Sequence, residues 1–208
     1  MAIDTRKRIL DAYFTLALQH PEKTHFTFTE IAKQAGLSRQ AIYKRHFNNT
    51  DEIIEYIHQE ITNEFTSNHD SSSLKGKINP FSLFAQTIIP SMYQQREHLR
   101  ILYQSSIDPL WKSFMIQNYQ NWIEENISFS YQKLGLSKKM TNRILAVWLS
   151  SLIENWLTEE ETLTPQEFSQ IFLNLTSSPL MNFTIFNGQM NHPNKLTIHG
   201  NYNQKKEN

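Results

Sequence analysis

The sequence predicts an all-α protein in which an N-terminal three-helix helix-turn-helix domain is joined by a long fourth helix to a larger helical bundle. Three observations carry this. Only five glycines and seven prolines occur in 208 residues, so few positions break a helix. Apolar residues recur at spacings of three and four over most of the chain, while strand-like alternation is hard to find before the last thirty positions. Residues 27–47 read as two short helices in succession, each with its own start signal and joined by a tight turn.

Composition narrows the function classes. A 39% hydrophobic content supports a packed core, and the absence of cysteine excludes disulfides and thiolate metal sites. No stretch resembles a secretion signal or reaches the roughly 20 apolar residues of a membrane span, so the protein is expected in the cytoplasm without a membrane partner. The net charge of zero hides an asymmetry: residues 1–47 hold eight Lys/Arg against four Asp/Glu, and the rest holds twelve against sixteen. The basic half suits a polyanion.

Residues 4–19 carry Ile9, Ala12, Tyr13, Leu16 and Ala17 on one helical face. Arg6, Lys7 and Arg8 crowd the start of that helix, where cations oppose the macrodipole, which points to an outside anion such as phosphate. His20-Pro21 ends it. Thr27 with Glu30 forms a capping box, so a second helix starts at Phe28 and buries Phe28, Ile31, Ala32 and Ala35. Gly36 suits the left-handed closure of that helix, and Leu37 drops between it and the next. Ser38 caps a third helix from Arg39 to about Phe47, which buries Ile42 and Phe47 and turns Arg39, Gln40, Tyr43, Lys44 and Arg45 outward. From Asn49 or Thr50 to about Asn68, a fourth helix lines up Ile53, Ile54, Ile57, Ile61 and Phe65.

The serines at 71–73 and Gly76 read as a connection. Beyond it, helices are expected over residues 80–95, kinked or divided at Pro90, over 99–106, and from Pro109 to about Leu134 with Gly135 as its cap. Residues 137–161 are apolar on more than one face, which calls for burial both inside the chain and against a partner, most simply a second copy. Thr164-Pro165 starts a last helix with Phe168, Ile171, Phe172 and Leu175. The domain limits are therefore 1–48 for the helix-turn-helix, 49–68 for the connecting helix, 69–176 for the bundle and 177–208 for a flexible polar tail, with a short strand at 183–186 or 196–198 as an option.

The run Ile31-Ala32-Lys33-Gln34-Ala35-Gly36-Leu37-Ser38, followed by Ile42-Tyr43 and Phe47, is similar to the DNA-binding domain of the TetR family of bacterial transcriptional regulators over about residues 5–60. The resemblance implies a homodimer on a roughly palindromic double-stranded operator, joined through the helices at 137–161 and 164–176. It also implies a repressor released by a small molecule of unknown identity bound in the larger domain. Position by position, Thr27 and Thr29 match places that cap or touch phosphate, Tyr43 matches a backbone-contacting tyrosine, and Arg39, Gln40 and Ala41 match places facing base edges. Ser38, Lys44, Arg45 and His46 complete the candidate DNA surface. Two departures stand out. Three residues rather than two separate Tyr43 from Phe47, so the last turn of the recognition helix is extended or bent, and Thr50 replaces a frequent phosphate-contacting lysine.

Arginine and glutamine have the donors and acceptors for bidentate contacts to guanine and adenine. For a ligand pocket, Tyr93, Tyr103, Trp111, Met115, Tyr119, Trp122 and Trp148 are the candidates, with ordinary core packing as the alternative for each. Glu55-x-x-His58 has a metal-ligand spacing, but no second copy on a helix accompanies it, so neither a metal nor another cofactor is expected. No phosphate-binding glycine loop or nucleophile elbow occurs, so the chain is not expected to be an enzyme. Two rivals remain: a partner-binding co-activator without its own small-molecule ligand, and a helical enzyme or carrier whose motif is incidental.

Overall fold

A computed structural model describes residues 2–67, 79–130, 135–161, 163–178, 185–186 and 189–190. The helices are α1 (Ala2–Gln19), α2 (Phe28–Ala35), α3 (Arg39–Arg45), α4 (Asp51–Ser67), α5 (Pro80–Gln94), α6 (Arg96–Gln104), α7 (Trp111–Asn126), α8 (Lys138–Thr158) and α9 (Pro165–Ser177). The strand option at 183–186 takes a small form: β1 (Ile185–Phe186) pairs antiparallel with β2 (Gln189–Met190). The expected flexible tail otherwise lies outside the described residues, as do the serine-rich connection and the side chain of Phe65.

The head consists of α1, α2 and α3 around Ile9, Tyr13, Phe26, Ile31 and Ile42, all almost wholly buried. Phe26 takes the place expected of Phe28, meeting Tyr13 edge-on at 5.9 Å while Phe28 stays half-buried. The reason is the capping box: with Thr27 extended at φ −75°, ψ 155°, the residue before the cap points back to the core. In the larger domain α7 packs on α8, α9 on α5 and α6 on α8. Its aromatic centre stacks Phe84 on Phe172 at 5.2 Å and sets Trp122 edge-on to Phe84 at 4.9 Å.

Several boundaries differ from expectation for local reasons. Pro90 does not divide the helix: α5 runs unbroken through it from Pro80 to Gln94 and packs along α9. Helix α6 begins at Arg96 rather than Leu99, since Gln95 serves both as the end of α5 and the start of α6. Pro109 is not the first helical residue. Asp108 Oδ1 accepts from the Leu110 N–H at 3.0 Å, an Asx turn that delays α7 to Trp111. At the other end α7 stops at Asn126, with Ile127 extended at φ −124°, ψ 131°, because the following Ile-Ser-Phe-Ser run propagates a helix poorly. Gly135 has a left-handed φ of 65° but lies well beyond that end. Helix α8 ends at Thr158 because Glu159, Glu160 and Glu161 would place acids at the negative pole of the helix.

Head and larger domain are tied at several points. The Ser106 N–H donates to the Pro21 carbonyl at 2.7 Å. His58 Nε2 of α4 lies 2.6 Å from Asp108 Oδ2, and the His58 ring stacks on Phe114 at 3.8 Å. His98 of α6 stacks on Phe14 of α1 at 4.2 Å.

Candidate nucleic-acid interface

The interface is built on two local closures. At the start of α2, Thr27 Oγ1 accepts from the Glu30 N–H at 3.3 Å, while Glu30 Oε2 accepts from the Thr27 N–H at 2.8 Å. Lys23 Nζ reaches Glu30 Oε1 at 2.9 Å. That ammonium first, and the Thr27 backbone and hydroxyl next, hold the Glu30 carboxyl at about 2. At the end of α2, the Leu37 N–H donates to Ala32 O at 2.9 Å and the Gly36 N–H to Lys33 O at 3.3 Å. These are the two bonds of a Schellman motif, and they require the left-handed backbone that Gly36 adopts at φ 63°. Ser38 then turns the chain into α3, its Oγ accepting from the Ala41 N–H at 3.1 Å.

Helix α3 is seven residues long and anchored by buried Ile42. Arg39, Gln40, Tyr43, Lys44 and Arg45 are exposed, and Tyr43 shows 58% of its surface. Thr27, Thr29 and Ser38 are exposed beside them, while Ala41 is half-buried. The residue beyond the usual spacing neither extends nor bends the helix. It is absorbed at its end, where His46 leaves helical geometry at φ −129° and the N–H groups of His46 and Phe47 both donate to Ile42 O. His46 is thereby turned inward and half-buried. Burial first, then the charges of Arg6 and Arg45, lower its pKa.

The cations at the start of α1 are occupied differently from expectation. Arg8 Nη2 donates to Ala35 O at 2.8 Å, satisfying a carbonyl left open at the end of α2. The Arg6 guanidinium lies over Tyr56 at 4.9 Å and Phe47 at 5.6 Å. The crowding is therefore explained in part within the fold, and Lys7 is the exposed member with no such tie among the described residues.

Of the residues proposed for a ligand pocket, Tyr103, Trp111, Met115, Tyr119 and Trp122 are buried, while Tyr93 and Trp148 are half-buried. Several engage other rings: Tyr103 meets Trp111 edge-on at 5.6 Å, and Tyr93 stacks on Trp156, which stacks on Phe168 at 4.1 Å. The Tyr103 hydroxyl and Trp111 Nε1 are buried without a hydrogen-bond partner among the described residues. None of the seven residues lines the two clefts between α1, α4 and α6. His58 engages Asp108 rather than sharing a site with Glu55, and no group of three or more potential metal ligands occurs among the described residues.

A capped helix-turn-helix head on a larger helical domain is the architecture of TetR-type regulators, and the chain has that fold. NalD of Pseudomonas aeruginosa, a secondary repressor of the MexAB-OprM multidrug efflux pump, is 22% identical, with a TM-score of 0.57 over 84% of this chain and 95% of that one. A TetR transcriptional regulator from Streptococcus agalactiae is 11% identical with a TM-score of 0.54, over 84% and 94% of the two chains. The dihydroxyacetone kinase operon activator DhaS is 15% identical with a TM-score of 0.53, over 83% and 94%. No family model and no curated protein matches the sequence.

Proposed function

We propose that the protein is a sequence-specific DNA-binding transcriptional regulator that acts in the cytoplasm as a homodimer and is released from its operator by a small molecule. The observation that carries this is the outer row of α3, where Arg39, Gln40, Tyr43, Lys44 and Arg45 stand exposed on a helix fixed by its cap and by Ile42. Lys44 and Arg45 supply counterion release, and Arg39 and Gln40 supply base-edge hydrogen bonds. His46 is the least suited of the ten candidate residues to face DNA, being turned inward. A dimer sets the two recognition helices one DNA turn apart, about 34–36 Å. Repression is the reading favoured by likeness to NalD, although the activator DhaS shares the fold.

Selection of bound duplexes from a random pool, followed by anisotropy titration, tests the proposal. Tyr43→Ala is expected to weaken all sequences alike, and Arg39→Ala to relax preference at one base pair per half-site by about 1–3 kcal/mol. Failure of the folded dimer to enrich any sequence would overturn the reading.

A further inference from the structure

Helices α1, α4 and α6 enclose a cleft of about 160 Å³ where the head meets the larger domain. Its walls are mostly apolar, with Leu10 and Phe14 from α1, Ile57 and Ile61 from α4, and Leu99 and Leu102 from α6; exposed Glu60 and half-buried Gln95 also line it, so the end of a ligand seated there must be uncharged. A neighbouring cleft of about 330 Å³ shares Leu10, Tyr56 and His98 with it and carries the opposite character. There Arg6, Lys7 and Arg45 face a single carboxylate, Asp11. One ligand that spans both clefts must therefore be apolar at one end and anionic at the other.

Size and chemistry narrow the choice. An apolar cavity of about 150 Å³ holds one benzene ring, so the inner cleft suits one aromatic ring rather than a long chain or a fused system. In the outer cleft, the Arg6 guanidinium is already held over the Tyr56 ring at 4.9 Å, which reduces the entropy lost in ordering a long side chain on a ligand. At the junction, His98 Nε2 stands 3.7 Å from Asp11 Oδ1, outside hydrogen-bond range. The imidazole is held there by stacking on Phe14.

We infer that this joint binds a small aromatic carboxylate, with its ring in the apolar cleft and its carboxylate among Arg6, Lys7 and Arg45. The walls come from the head through α1 and from the larger domain through α6, so an occupant favours the head placement in which the cleft is open. That second step rests on the DNA-binding reading; the binding itself does not.

Benzoate is the probe. Titrated into the full chain without DNA and followed by calorimetry and amide chemical shifts, it is expected to saturate, with shifts concentrated in α1, α4 and α6. Benzyl alcohol, with the same ring and no charge, is expected to bind about tenfold more weakly. Leu10→Trp, which fills the cleft from the half-buried side of α1, is expected to abolish saturation while leaving the helical circular dichroism intact, and exposed Lys7→Glu to weaken it severalfold. Absence of saturation, equal binding of benzyl alcohol, or unchanged binding by folded Leu10→Trp would each overturn the inference. Benzoate should also shift operator affinity in the parent chain and not in Leu10→Trp; saturable binding without that shift would overturn the regulatory step. Benzoate binding by a protein that enriches no duplex would overturn the DNA-binding reading alone.

Discussion

Glu30 shows how much of the helix-turn-helix head rests on one side chain. Its carboxylate takes a hydrogen bond from Lys23 and two from Thr27, which fixes both the start of α2 and the loop before it. These partners favour the charged form and hold its pKa at about 2. Because the folded value is depressed, the stabilisation is fully present above the ordinary carboxylate range and is lost as pH falls through about 2. With Glu30 39% exposed, solvent screening limits the effect to about 0.5–1 kcal/mol. Unfolding free energies of the parent and Glu30→Gln, from denaturant titration, should differ by that amount at pH 7 and converge near the acid end. This capping box was legible in the sequence because its partners lie three residues apart. The roles of Arg8 and His46 were not, since each depends on packing between different helices, and spacing along one helix carries no record of that.

Among the elements, α4 has the most to reconcile: it leaves the head and runs along the larger domain. Contacts that hold it to α7 and the turn before it include His58 on Asp108, His58 on Phe114, and Thr62 Oγ1 on Asn118 Oδ1 at 3.4 Å. Asp108 is 6% exposed and also accepts from the Leu110 N–H, so its removal takes the partner from both that amide and the imidazole. Asp108→Ala is expected to cost about 2–4 kcal/mol of unfolding free energy, and a cycle with His58→Ala should give a coupling of about 1 kcal/mol or more. A coupling near zero would mean that Asp108 acts only as the turn before α7. From the sequence, His58 reads as part of a solvated helix face, the Glu55-x-x-His58 spacing having no second helical copy to support a metal site. The partner that the fold provides is fifty positions away, and only the crossing of α4 over α7 brings it near.

At the scale of the whole molecule, the unresolved demand of the sequence is the second apolar face of α8. Met140, Ile144 and Val147 remain 52%, 51% and 42% exposed in the single chain, with Ile171 of α9 at 41%. Such a row is costly to leave in water, and a twofold partner presenting the same row would cover it. Ile144→Asp is accordingly expected to shift the sedimentation coefficient from dimer to monomer while leaving the helical signal unchanged; an unaltered dimer would place the interface elsewhere. The all-helical architecture and the order of its parts were readable from periodicity and caps. The exact helix ends around residues 105–135 were not, because an Asx turn and a run of weak helix formers decide them.

The bond from the Ser106 amide to the Pro21 carbonyl links the loop after α1 to the loop after α6. It belongs to the main chain. No exchange of side chains at either position removes it, short of proline at Ser106, so mutational drift can retune the His–Asp pairs around the joint while this fastening persists. Divergent descendants of this sequence would then differ in the grip between head and body, yet keep a common point of attachment.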